Sequence, residues 1–61
     1  MKEYKGYAVE HDETNEDLCF ISFAEYEEAN DIRFDLSLDG YMIQDLEEIE
    51  DEKRYILWFN K

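Results

Sequence analysis

His11 and Cys19 are the single imidazole and the single thiol of this chain, so any nucleophile and base pair, or any metal site, would have to be built from them and from carboxylates. His11 lies in the polar run His11-Asp12-Glu13-Thr14-Asn15-Glu16-Asp17, with no cysteine and no apolar shell beside it, and reads as a solvated loop residue. Cys19 sits inside the apolar run Leu18–Ala24, where a free thiol behaves as a small hydrophobe. A reactive thiolate needs a cationic neighbour, and the sequence neighbours of Cys19 are acidic or apolar. One cysteine and one histidine supply neither a disulfide framework nor a four-ligand zinc site. Carboxylates are abundant, but general acid and base work needs two of them in contrasting environments, and most here fall in polar stretches. With Gly6 and Gly40 the only glycines, no loop can cradle a phosphate. The expectation is a protein that is not an enzyme and takes no cofactor.

One metal motif merits a direct test. Asp35, Ser37, Asp39 and Gly40 reproduce the opening of a calcium-binding EF-hand loop, whose ligands fall at positions one, three and five with glycine at six. The bidentate glutamate that closes such a loop would fall on Leu46, with Glu47 one residue late, and the flanks do not read as helices. A strand and turn account for the same residues without an ion, so no metal site is expected.

What distinguishes the chain is the placement of its acids. Eighteen Asp and Glu face six Lys and Arg in 61 residues, a net charge of -12. Fifteen of the eighteen fall in three clusters: Glu10, Asp12, Glu13, Glu16 and Asp17; Glu25, Glu27, Glu28 and Asp31; and Asp45, Glu47, Glu48, Glu50, Asp51 and Glu52. Most of the bases (Lys2, Lys5, Arg33, Lys53, Arg54, Lys61) lie outside them, so the clusters are poorly neutralised locally. That sign excludes nucleic acid as a ligand, because neutralising phosphates needs a basic patch, and it disfavours anionic lipid surfaces. The natural partner is a basic protein surface.

The elements that position these clusters follow from periodicity. Sixty-one residues allow one small domain, 1–61, and the composition, 44% hydrophobic and 16% aromatic, is too apolar for a disordered acidic tail. In Ile32–Leu38, Ile32, Phe34, Leu36 and Leu38 alternate with polar residues, which predicts a strand ending in an Asp39-Gly40 hairpin turn. Arg54–Asn60, continuous in apolar residues, predicts a central strand covered on both faces, or one whose second face meets another protein. Leu18–Ala24 reads the same way, and Tyr4–Val9 as a weaker strand. Met42–Ile49 mixes helical and strand spacing and is read as an irregular strand, with Glu50–Lys53 as the turn after it and a short helix as the close alternative. Glu25–Asn30 reads as a helical turn, and a longer helix from Thr14 to Ala29 is the alternative for that region. The expected fold is α+β, mostly β: a small antiparallel sheet of four or five strands with at most one short helix.

In a domain about 14 Å in radius the three clusters are expected to lie close together as one negative surface. A duplex carries one charge per about 1.7 Å of axis, so twelve net charges match about 20 Å of DNA. In size and charge the chain resembles the small acidic inhibitors that bacteriophages make against host DNA-handling or defence enzymes, including DNA mimics such as uracil-DNA glycosylase inhibitors and some anti-CRISPR proteins. The resemblance implies a non-enzymatic inhibitor that blocks a nucleic-acid-binding groove. The alternatives are an immunity protein or antitoxin that binds a basic toxin, and an acidic assembly subunit without mimicry. The partner-binding residues expected are Asp45, Glu47, Glu48, Glu50, Asp51 and Glu52, with Glu25, Tyr26, Glu27 and Glu28, and with Asp12 and Glu13. Ten aromatics exceed what so small a core can hide, so tyrosines or Trp58 are expected as interface anchors, and the apolar C-terminal strand as a possible homodimer contact. With no apolar stretch long enough for a secretory signal or a membrane span, and a single cysteine, a cytoplasmic location is expected, the host cytoplasm if the gene is a phage's.

Overall fold

In the computed structural model, which describes residues 1–61, the elements in chain order are β1 (Glu3–Tyr4), β2 (Tyr7–Ala8), β3 (Glu10–His11), β4 (Leu18–Phe23), α1 (Tyr26–Leu38), β5 (Met42–Ile49) and β6 (Arg54–Asn60). The two runs that are apolar at both parities, β4 and β6, pair with each other at the centre of a four-stranded antiparallel sheet of order β3-β4-β6-β5. Strands with no free edge can be apolar on both sides, whereas the edge strand β5 carries charge. The fold is α+β and mostly strand, as expected, with a separate two-stranded hairpin, β1 and β2, beside the main sheet.

The helix corrects the largest sequence expectation. Ile32–Leu38 is not a strand but the second half of α1, which begins at the predicted helical turn and runs thirteen residues. Its buried residues are Ala29, Ile32 and Leu36, spaced for one helical face. Ile32 and Leu36 satisfy both periods because four is a multiple of two and also close to one helical turn. Phe34 and Leu38 fit only the strand pattern, and they are 57% and 72% exposed. Apart from Ile32 the helix contains no β-branched residue, so local propensity also favours it. The alternative helix from Thr14 to Ala29 is excluded by β4, which occupies its middle.

The Asp39-Gly40 pair makes a turn of a different kind. Asp39 caps the C-terminus of α1, and Gly40 follows at φ +95. The Gly40 N–H donates to the Ser37 carbonyl at 3.2 Å and the Tyr41 N–H to the Leu36 carbonyl at 3.0 Å, the bond pair of a Schellman motif. The hairpin turn expected there occurs instead at Lys5-Gly6, where both residues have positive φ (48 and 89), so Tyr4–Val9 folds back on itself rather than running as one strand. β5 is the irregular strand expected. A register shift leaves Gln44 as an extra residue between Ile43 and Asp45, and this bulge turns Ile43 and Leu46, three apart, toward the same side.

The core lies on one face of the sheet. Cys19, Ile21 and Phe23 of β4 and Leu57 and Phe59 of β6 meet Ala29, Ile32 and Leu36 of α1, with Tyr4 and Val9 closing one side. The hairpin lies along the helix through side chains. The Tyr4 hydroxyl donates to Asp39 at 2.5 Å, the Tyr7 hydroxyl donates to Glu28 at 2.6 Å, and Lys5 pairs with Asp35 at 3.3 Å. Tyr4 and Tyr7 are therefore structural contacts rather than free anchors, and Tyr7 also packs on Phe23 with ring centroids 4.8 Å apart. Burial, helped by the bond to Asp39, pushes the Tyr4 hydroxyl up to about 12.

Two measurements test this arrangement. Leu36→Ala should lower unfolding stability by about 3 kcal/mol in a urea titration, whereas Phe34→Ala should change it by less than about 0.5 kcal/mol; equal losses would restore the strand. Because the Tyr4 hydroxyl is held neutral by the fold, its contribution is complete below the ordinary tyrosine value of 10.0 and is lost as pH rises toward about 12. Tyr4→Phe should flatten the fall in stability over that alkaline range.

Candidate functional site

The sheet brings two of the three acid clusters together and leaves the third apart. β4 ends beside the β5–β6 turn, so the start of α1 and the end of β5 share one end of the sheet. Glu25, Tyr26, Glu27, Glu48, Glu50, Lys53, Tyr55 and Ala24 line an open groove of about 440 Å³ there. Asp51 and Glu52 extend it along the tight turn 50–53, which closes with Lys53 at φ +52. Tyr26 is half exposed and stands edge-on to Tyr55, with centroids 5.6 Å apart. Glu28 is turned to the hairpin by Tyr7. The donated hydrogen bond to Glu28, followed by burial, raises the Tyr7 hydroxyl above its ordinary range.

Asp12 and Glu13 lie at the opposite end, in the loop before Leu18, separated from the groove by the length of β4, about 17 Å. The expected single negative surface is thus two acidic ends joined by the edge strand β5. Asp12 is also not free: one carboxylate oxygen accepts from the Thr14 hydroxyl at 2.6 Å, the Thr14 N–H at 3.0 Å and the Asn15 N–H at 3.2 Å, which shapes the loop. These bonds, the Thr14 hydroxyl's above all, hold its carboxyl below the ordinary range.

The acids are largely uncompensated. Lys5–Asp35 is the single ion pair of the domain, and Arg33 bonds the Asn30 side chain instead of an acid. The N-cap position of α1 is Glu25, whose side chain makes no capping bond, so the helix start depends on Glu27 and Glu28 in its first turn against the helix dipole.

The strand pairing also reveals a surface that the acid pattern alone did not locate. Opposite the helix, the sheet presents Leu18 and Phe20 of β4, Ile56 and Trp58 of β6, and Ile49 of β5. All five are half-buried and none packs against the core cluster. Phe20 and Trp58 pair directly across β4 and β6, with ring centroids 4.7 Å apart. Carboxylates flank them on both sides in the same register: Glu10 opposite Phe20, Asp45 opposite Trp58 and Glu47 opposite Ile56. The Trp58 indole N–H donates to Glu47 at 3.4 Å. The continuous apolar runs signalled a strand with something on its second face; that the chain has no second layer to put there is visible only once the helix is placed.

The structure also brings His11 and Cys19 together, as register partners of β3 and β4 with Nδ1 and Sγ 3.6 Å apart. His11 Nδ1 faces the Glu16 carbonyl at 2.9 Å and Nε2 the Met1 carbonyl at 3.1 Å. Burial pushes the Cys19 thiol up, the opposite of what a nucleophile requires. Asp35, Ser37 and Asp39 of the EF-hand-like motif lie in the last turn and cap of α1, and no group of three or more His, Cys, Asp or Glu side chains is placed to hold a metal ion. No helix is long and apolar enough to cross a membrane.

No family model, no curated protein and no solved structure matches the chain.

Replacing Glu25 by serine supplies the missing cap and should raise stability by about 1 kcal/mol in urea titration. An unchanged or lower stability would contradict the uncapped helix start.

Proposed function

We propose that this protein is a non-enzymatic inhibitor that covers a basic, nucleic-acid-binding groove of another protein, its carboxylates standing in for phosphates. Its target on this reading is a DNA-processing or defence protein, and its kind that of the acidic inhibitors bacteriophages direct at their hosts. The observation that carries the reading is the convergence of Glu25, Glu27, Glu48 and Glu50 around one groove in a domain with a single ion pair. Charge left unpaired at that density opposes folding by self-repulsion and exceeds what solubility needs, which gives it a use only when a cationic surface neutralises it. The edge strand β5 continues the acids between the two ends, with Asp45 and Glu47 on one side of it about 7 Å apart, close to the phosphate spacing along one nucleic-acid strand. The longest dimension of the domain, 28 Å, accommodates the roughly 20 Å of duplex that its charge matches.

A second reading, an immunity protein or antitoxin that binds a basic toxin without copying DNA, is favoured by one observation, the uncovered apolar face of β4 and β6. DNA offers no counterpart to such a face. An assembly subunit would use the same face but has no need of the unpaired acids.

Competition separates the readings. Immobilised protein should retain a nucleic-acid-binding protein from a bacterial lysate, and excess duplex DNA should displace it. Joint reversal of Glu47, Glu48 and Glu50 to lysine should abolish retention while the far-ultraviolet circular dichroism stays native. A partner that stays bound in excess DNA would contradict mimicry and leave the toxin-binding reading.

A further inference from the structure

From the uncovered sheet face we infer a second element of recognition: Phe20, Ile56 and Trp58, with Glu10, Asp45 and Glu47 beside them, form a docking face for an arginine-bearing protein surface. The inference rests on the proposed basic partner and names where and how that partner is held. Its starting point is coverage. The helix and hairpin occupy one face of the sheet, and the opposite face keeps five half-buried apolar side chains, two of them aromatics tilted against each other, over which no helix or strand lies.

Charge identifies the occupant. A second copy would bring another net -12 against the acids at the rim, so face-to-face self-association is opposed by like charge, as is a nucleic acid or an anionic lipid surface. A cationic protein surface is the complement. Between the two basic side chains, arginine fits better than lysine. Its guanidinium is weakly hydrated, stacks flat on aromatic rings and bonds carboxylates in two-pronged fashion, whereas the lysine ammonium is a strongly hydrated point charge. Trp58 offers the ring, and Asp45 and Glu47, on the adjacent strand and the same face, offer the carboxylates. The contact between Glu47 and the Trp58 indole N–H keeps acid and ring together before any partner arrives.

Size shows why the rim is needed. The three long strands β4, β6 and β5, each about 4.8 Å wide and about 20 Å long, give a face of roughly 290 Å², with the two-residue β3 at its edge. A stable interface takes about 800 Å² from each partner, so the apolar centre cannot suffice and the flanking acids must join it. Hydrophobic contact would hold the centre while the acids steer approach and exclude uncharged competitors.

The test uses deca-arginine and deca-lysine as probes on the folded 61-residue chain at physiological salt. The indole N–H of Trp58, the single tryptophan, gives one resonance that reports this face alone. Deca-arginine should shift that resonance at saturating concentrations and bind about threefold tighter than deca-lysine. Glu47→Gln and Glu48→Gln remove the same charge from adjacent positions of β5, but Glu47 pairs with Ile56 on the uncovered side and Glu48 with Tyr55 on the helix side. Glu47→Gln should weaken deca-arginine binding about threefold more than Glu48→Gln does. If both variants weaken it equally and the Trp58 resonance stays still, the docking face is overturned while the acidic groove and its DNA-displaceable partner stand. If the Trp58 resonance instead shifts with protein concentration alone, a second copy occupies the face and the inference fails. If neither peptide binds, the reading of a cationic partner fails with it.

Discussion

A four-stranded sheet has two faces, and this chain has only one helix and one small hairpin with which to cover them. Both go to the same side, where α1 sets Ala29, Ile32 and Leu36 on the inward residues of β4 and β6. Concentrating coverage is the way a chain of this length completes a core at all: ten residues are buried, and splitting the layers would leave two cores too thin to stabilise the domain. The other properties of the molecule follow. The helix must cross from one end of the sheet to the other, which sets its first turn beside the end of β5. The second face of β4 and β6 stays apolar and uncovered.

Electrostatics works within that frame. The acids occupy loops, the edge strand and the exposed side of the helix, so none is buried and none needs a partner for the fold to form. The carboxylates that are engaged locally serve geometry: Asp12 orders its loop, while Asp39 and Glu28 accept from the tyrosines that fasten the hairpin. The acids at the groove and along β5, of which Asp45 and Glu47 accept one hydrogen bond each, are without a cationic partner and available to a basic surface. On the proposed reading, stability and binding thus draw largely on different members of one excess of charge.

Much of this was legible in the residues. The two central strands and the turn after β5 can be read from composition and parity, because strands inside a sheet tolerate apolar residues on both sides and edge strands do not, whereas β5 carries apolar residues at both helical and strand spacing. Ile32–Leu38 misleads because Ile32 and Leu36 satisfy both the helical and the strand period, and only burial shows that Phe34 and Leu38 point outward. Asp39-Gly40 misleads for a related reason: positive φ at glycine serves a helix end as well as a hairpin, and the local sequence does not distinguish them. The acid clusters are plain in the sequence, but their division between two ends of the sheet depends on strand direction. The aromatic pair Phe20–Trp58 comes from strands far apart in sequence, and its exposure depends on which face the helix takes.

On the proposed reading, a basic protein docks on this uncovered face, rimmed by acids. Acrylamide quenching of Trp58 fluorescence, measured in the free protein and in the saturated complex with a captured partner, reports whether it does. Quenching should fall sharply in the complex, because the indole leaves solvent. Unchanged quenching at full occupancy would place the partner elsewhere and contradict that reading.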